Sequence, residues 1–358
     1  MWPFLVFGGI FSTAATFGRP GKPSPMPWVA VFLLTVIFVG LRHHVGMDWN
    51  NYLRMIYAVD ISRDWSQAIS VSEPFYALLL VFGNWTGGGM YMVNLVSTFV
   101  AMIGVFAFAR RTREPWLALT AAMPLYIVVV AMSANRQALA AGLIMLLIAH
   151  WERLKLPVRM LCIIGIAGFH ASALIFLAFV AIDLRLPRMV KLVGIAIFSL
   201  VAIYIIQQSG YGDYYSRSYG VGQSAATQSS GAIYHVAMNA IPASLYFLFP
   251  RYRQVLFPTP LLRNLAFAAM ITFPLVFFAS AAAGRISLYW FPVSMWVWAA
   301  LPSVVVPRFR RLSRLAISGL MLAVMVVWLT MANSSSAHLP YRNALFVDPW
   351  DLEIGVLP

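Results

Sequence analysis

MYMVNLVSTFVAMIGVFAFARRTREPWLALTAAMPLYIVVVAMSANRQALAAGLIMLLIAHWERLK, residues 90–155, decides how the chain folds. Three apolar runs, at 90–109, 116–132 and 138–150, are separated first by RRTRE and then by SANRQ, and the third ends in WERLK. About 20 apolar residues in helical form cross the hydrocarbon core of a bilayer, and somewhat fewer suffice inside a protein bundle. Short loops rich in Lys and Arg stay in the cytoplasm. The stretch therefore reads as three crossings, with RRTRE and WERLK inside and Asn135-Arg136-Gln137 outside.

The same pattern extends in both directions. Further apolar runs lie at about 2–17, 27–41, 160–182, 189–206, 231–249, 262–279, 286–306 and 315–332. The run at 160–182 carries Phe169 and His170 near its middle, and reading it as two short helices that meet there restores the alternation of loops. The expectation is an all-α, polytopic membrane protein of about 12 transmembrane helices, some short or broken. Composition agrees: 61% of the 358 residues are hydrophobic and 10% charged, against roughly 25% charged in soluble domains. Little chain remains for a separate domain, so residues 1–358 read as one transmembrane domain.

Charge tests the layout. Eighteen of the 25 basic residues fall on the cytoplasmic side, against Glu114, Glu152 and Asp183. The other 7 share the outer side with 8 acidic residues, leaving +15 inside and −1 outside of the formal +14. Both termini then lie outside the cytoplasm. A charge of +14 also invites a nucleic-acid reading, but phosphate-binding residues cluster on a soluble face. Here they occupy short loops between apolar runs, so no nucleic-acid partner is expected. The single Cys162 lies within a run and supports neither a disulfide framework nor a Cys-based metal site. MWPFLVFGGIFSTAATF, at 1–17, lacks the basic start of a signal peptide and reads as a retained helix.

Three outer segments are long enough to have a role. Residues 42–89 include EPFYALLLVFGNW, too short to span, which predicts an interfacial or re-entrant helix ended by Gly87, Gly88 and Gly89. Residues 207–230 are rich in Gly, Ser, Tyr and Gln, a connector or a lid over substrate. The tail, 333–358, carries LPYRNALF. No internal repeat stands out, which weakens a transporter built from paired halves.

Polar groups near the bilayer are costly and so are candidates for function. Those mapping to the outer face are Arg42, His43, His44, Gly46, Asp48 and Tyr52, then Glu73-Pro74, Asn135-Arg136-Gln137, Phe169-His170, Gly284-Arg285 and Tyr341-Arg342-Asn343. The guanidinium fork stays charged and pairs with two oxygens at once, which suits a diphosphate. Arg136 and Arg285 each begin an apolar helix, where the dipole disfavours a cation; an anionic ligand explains them, or they snorkel to the surface. His170, flanked by GIAGF and ASALIF, is placed for general-base work in its neutral form, or is a satisfied core residue. Asp48 and Glu73 are alternative bases, and either would instead pair with Arg42 as a structural ion pair.

Other chemistries find little support. The chain has no GxxxxGK[ST], HExxH or GxSxG motif, and the adjacent His43 and His44 point in different directions, a poor metal pair. Tyr214, Tyr215 and Tyr219 would stack on sugar rings, although Trp and Tyr gather at any membrane interface.

R-x-x-V-G-x-D-x-x-x-Y from Arg42 to Tyr52, E-P-F-Y from Glu73, R-Q-A-L-A from Arg136, F-H-A-S-A-L from Phe169 and R-x-x-x-Y from Arg285 to Tyr289 occur in order between membrane runs. In this the chain resembles the EpsG family of exopolysaccharide and O-antigen polymerases, over residues 40 to about 345. The resemblance implies a Wzy-type polymerase, a membrane glycosyltransferase. Such an enzyme transfers a growing glycan from undecaprenyl diphosphate onto the next lipid-linked repeat unit, at the outer face of the bacterial inner membrane. It implies no nucleotide sugar and no required metal.

On that reading Arg136, Arg285 and Arg42 bind the diphosphate, and His170, Asp48 or Glu73 is the base. Tyr52, Gln137, Tyr289 and Arg342 contact the substrate. The partners are the undecaprenyl-diphosphate-linked oligosaccharide, membrane lipids and a chain-length regulator of the export system. The doubled His43-His44 departs from the family pattern, and 207–230 carries no motif of it. The alternatives are a ligase that moves the glycan to another acceptor and a flippase or transporter of lipid-linked sugars, which predicts charges lining a path through the bilayer centre.

Overall fold

The computed structural model describes residues 1–18, 20–183, 187, 189, 194 and 231–352, and these are helical with no strand. The outer segment 207–230 lies outside them, as does nearly all of the run at 189–206. In chain order the helices are α1 (Trp2–Phe17), α2 (Pro25–Gly40), α3 (Trp49–Asp60), α4 (Trp65–Ser70), α5 (Pro74–Trp85), α6 (Gly89–Ala109), α7 (Pro115–Ala122), α8 (Ala131–Ser133), α9 (Asn135–His150), α10 (Leu156–Ala167) and α11 (Leu177–Asp183). There follow α12 (Ala232–Leu248), α13 (Arg253–Leu256), α14 (Pro260–Leu275), α15 (Ser280–Ser287), α16 (Phe291–Ala300) and α17 (Arg310–Met331).

Proline opens many of these helices: Pro3, Pro25, Pro74, Pro115, Pro157, Pro260 and Pro292 stand in first turns. An N–H is not needed there, and the fixed φ suits helix entry. Pro124 does the opposite. Lying inside a helical run, it cannot donate to the turn before it, and the backbone widens into a π-helix over Met123–Val130 that joins α7 to α8. Tyr126 within that turn donates to Ala138 O of α9 at 2.5 Å.

Helix packing in a lipid solvent relies on close approach rather than on the hydrophobic effect. The tightest seam is α6 against α9. A Cβ on Gly104 would stand 1.8 Å from Gly142 O, and one on Gly142 would stand 2.6 Å from the Ala101 backbone. Only glycine admits this approach. Because α9 begins with Asn135, Arg136 and Gln137, the seam also sets where those side chains stand.

Gly89–Ala109, Pro115–Ser133 and Pro307–Met331 are each long and apolar enough to cross a membrane. Ala232–Leu248 with Pro250–Leu256 reaches that length as a pair but bends by 98° at the break. The other apolar helices have 10–17 residues. An all-helical membrane protein is thus observed, while the expected 12 crossings depend on short helices also spanning. The break expected at Phe169-His170 is present: α10 stops at Ala167, and a 3-10 segment starts at Ala171. The short helix expected within 42–89 is α5, followed by Gly87 and Gly89 at φ of +69° and +50°. Each of the ion pairs Arg136–Glu73, Arg159–Asp183 and Arg314–Glu114 joins two residues that the charge count assigns to one side.

Candidate active site

Four chain breaks meet at one end of the helical layer. The first is the loop between α2 and α3. Gly46 takes φ +111°, and a Cβ there would lie 1.8 Å from Met132 O. Its N–H donates to Ala337 O at 2.8 Å, and the Met47 N–H to Ser133 Oγ at 3.2 Å. Glycine is required both for the left-handed backbone and for the contact, and the docking leaves Asp48 at the head of α3.

The second and third breaks cap one another. At the start of α5 the Phe75 and Tyr76 N–H groups have no intrahelical acceptor. Both point at Gly168 O, the carbonyl released where α10 ends, at 2.8 and 3.3 Å. A Cβ on Gly168 would meet the Phe75 ring at 2.5 Å. This brings Glu73, just before α5, against His170, just after α10. The fourth break, at Ala134 between α8 and α9, exposes the first turn of α9 and with it Arg136. The Arg136 N–H donates to Tyr52 Oη at 3.3 Å.

At the meeting point is Glu73, about 8% exposed. Its Oε2 accepts from Arg136 Nη1 at 2.7 Å and from Ser72 Oγ at 2.9 Å. Its Oε1 accepts from His170 Nδ1 at 2.9 Å and from the Ala171 N–H at 3.4 Å. Burial works to raise this carboxyl, but the His170 hydrogen bond and the Arg136 charge outweigh it and hold Glu73 well below the usual carboxylate range. A carboxylate on Nδ1 orients the imidazole and turns Nε2 away from the pair. Arg136 also donates from Nη1 to Ser72 Oγ at 3.1 Å and lies 5.9 Å from the Tyr76 ring centre. Its bonds to Glu73 and Ser72 both use Nη1, and the side chain is 25% exposed.

Arg285 and Asp48 flank this core. Gln137 Nε2 donates to Arg285 O at 2.6 Å, which ties α15 to the start of α9. Asp48 is raised by burial, with the charge of Arg285, a hydrogen bond from Asn51 and the charge of Arg136 pulling it back. Both arginine charges therefore act on Asp48. Tyr289, fully buried, shares a 2.8 Å hydrogen bond with Ser172, two residues past His170.

Of the residues singled out in the sequence, Asp48, Tyr52, Glu73, Arg136, Gln137, His170, Arg285 and Tyr289 are brought together. Two are not. Arg42 is about 1% exposed. It donates to Val39 O at 2.8 Å, Val45 O at 3.1 Å and Asn94 Oδ1 at 3.0 Å. It pairs with neither Asp48 nor Glu73 and is held inside the protein, so it braces the loop. Arg342 is exposed on the tail, its carbonyl accepting from the His43 N–H at 3.0 Å, and it faces a separate groove. Arg285 also departs from expectation in its setting. It lies in the last turn of α15, not at a helix start, so the dipole argument made for it does not hold.

Sequence reasoning passed over Ser72, Ser172 and Asn94. Asn94 Oδ1 accepts from both Arg42 Nη2 and Asn135 Nδ2, at 3.0 and 2.9 Å, and Asn135 also donates to Tyr76 Oη at 3.3 Å. The signal was present for Asn94, an amide inside the apolar run at 90–109. Among the described residues no three His, Cys, Asp or Glu side chains gather to hold a metal.

A sequence model of the EpsG family matches residues 26–343. No curated protein and no solved structure matches the chain.

Proposed function

Because the chain belongs to the EpsG family, we propose that it polymerises polysaccharide repeat units carried on undecaprenyl diphosphate, working at the outer face of the bacterial inner membrane, with its shorter apolar helices completing the crossings. The observation that carries the reading is the double grip of Glu73 on Arg136 and His170, from segments 63 and 97 residues away. It leaves a part-exposed guanidinium beside an imidazole nitrogen that faces away from the same carboxylate.

In this reading the donor diphosphate lies against Nη2 and Nε of Arg136, with Arg285 adding charge. His170 Nε2 takes the proton of the acceptor sugar hydroxyl. The hydroxyl oxygen bonds to the anomeric carbon of the growing glycan, and the bond from that carbon to the diphosphate oxygen breaks. The diphosphate leaves with the electron pair on its polyprenyl carrier. Cationic donors fixed in place lower the energy of that departing charge, and Glu73 stabilises the imidazolium that forms. Glu73 is here a positioning residue, since both its oxygens already accept from cationic or N–H donors. Asp48 is the competing base, its proton affinity raised by burial; Asp48→Asn distinguishes the two, sparing elongation if His170 is the base.

Arg136→Ala and His170→Ala are expected to abolish long glycan chains at normal expression. Ordinary chain-length ladders in both variants would remove the site. A ligase would give a product whose terminus is joined to a different acceptor. A flippase would move a labelled lipid-linked unit across reconstituted vesicles without lengthening it.

A further inference from the structure

A second concavity, of about 1280 Å³, opens on the flank of the molecule between α1, α2 and the tail. None of Glu73, Arg136 and His170 lines it. Its volume exceeds the roughly 300 to 1,000 Å³ of sites for compact ligands, and its shape is set by helices. Its deep part is apolar, with Ile10 of α1 and Leu34 of α2, while Trp2 stands toward the mouth. Ring contacts fix the direction: Phe4 lies 5.4 Å from Tyr341 at the tail, and Phe7 stacks on Phe38 at 4.3 Å. From Trp2 to Ile10 the helix rises about 12 Å, close to half of the roughly 30 Å hydrocarbon core. The groove is therefore one leaflet deep.

The mouth is polar and mixed in sign. Arg342 supplies one cation, and Asp348 and Asp351 supply two carboxylates, all three exposed. The tail is fastened to the α2 end by Ala344 N–H on Leu41 O at 2.7 Å and His43 N–H on Arg342 O at 3.0 Å, which holds the backbone of Arg342 at the mouth. His44 joins them from a left-handed backbone, φ +50°, that a residue other than glycine rarely adopts. Such backbone marks functional positions more often than ordinary loops. A lipid diphosphate or an anionic glycerophospholipid would set its negative charge beside two carboxylates for one arginine. A headgroup with a phosphate and an ammonium matches both signs.

We propose that this groove is a binding site for a zwitterionic phospholipid of the leaflet at the active-site end. The phosphate lies at Arg342, the ammonium group at Asp348 and Asp351, and an acyl chain runs between α1 and α2 toward Ile10 and Leu34. The site is separate from the polymerisation chemistry and does not depend on it.

The test is native mass spectrometry of the full chain, delipidated in detergent and offered dioleoyl phosphatidylethanolamine, dioleoyl phosphatidylglycerol or undecaprenyl phosphate. The expected result is retention of phosphatidylethanolamine at least about tenfold above phosphatidylglycerol, a preference of about 1.4 kcal/mol. Asp348→Asn with Asp351→Asn, both on the surface, should bring that ratio close to one. Ile10→Trp with Leu34→Trp, which fills the groove, should lower retention itself, in protein that elutes as the native chain does. Equal retention of the two phospholipids by the native chain, preferential retention of undecaprenyl phosphate, or an unchanged ratio in the aspartate variant would each overturn the proposal.

Discussion

Glu73→Gln exchanges one carboxylate oxygen for an NH2 group and changes little else. The four hydrogen bonds described for this side chain with other residues come from donors, two on each oxygen. An amide has one accepting atom, so one side must now set donor against donor. If the amide oxygen stays with Arg136, which carries a full charge, the NH2 group faces His170. Nδ1 accepts from it only when the imidazole proton moves to Nε2, and the proposed base then becomes a donor. One charged hydrogen bond is lost, about 1.5 to 3 kcal/mol. Arg136 is 25% exposed and regains part of its own loss from water. A destabilisation of about 2 to 3 kcal/mol is expected, within the roughly 5 to 15 kcal/mol that domains possess.

Elongation should fall much further, by the roughly 100- to 10,000-fold that a positioned base contributes. Glu73→Asp keeps both accepting oxygens but is one methylene short, so it should retain the tautomer and lose part of the Arg136 contact, giving an intermediate rate. The assay is the initial rate of chain elongation in proteoliposomes, paired with the thermal midpoint of the same preparations. Elongation by Glu73→Gln within about threefold of native, a loss under about 0.7 kcal/mol in the barrier, would refute the reasoning.

Arg42→Met should act on stability, because it leaves the Val39 and Val45 carbonyls without their donor, at about 1 to 3 kcal/mol each. The thermal midpoint reads this, whereas a phosphate ligand would raise KM at an unchanged midpoint. Gly104→Ala should push α6 from α9, at about 1 to 3 kcal/mol of overpacking, and should lower elongation too, because α9 carries Arg136; native activity at a lowered midpoint would uncouple the seam from the site. Glu73 is held below its unfolded value of about 4.3. Its stabilisation is therefore complete above that value and is lost as pH falls through the lower, folded one. The midpoint difference between native and Glu73→Gln should persist down to about pH 5 and be lost only in stronger acid; a difference that vanishes near pH 6 would contradict the assignment.

The helices were legible because lipid makes an apolar run nearly equivalent to a helix. The break at 168–170 was legible for the converse reason: His170 interrupts a run in which a polar ring has no other excuse. The partners across the site were not. Arg42 and Arg136 look alike in sequence, each an arginine at the outer end of an apolar run. What separates them is the surroundings that remote residues bring: two nearby carbonyls and Asn94, 52 residues on, enclose Arg42, whereas Glu73 and Ser72 hold Arg136 and leave its side chain 25% exposed. The position of Arg285 was misread because Ser280–Ser287 is a short helix of small residues ahead of the apolar run, and its composition alone does not announce it.

The carbonyl of Gly168 that accepts from Phe75 and Tyr76 also sets a clock. The chain is made from its N-terminus, and 93 residues separate Phe75 from Gly168. At about 5 to 20 residues per second, roughly 5 to 19 s pass between their synthesis. Throughout that interval the first turn of α5 lacks its acceptor and Glu73 lacks His170. During biogenesis the segment that carries Glu73 must therefore wait for its partners, and its last contacts form only after α10 and the turn that follows it have been made.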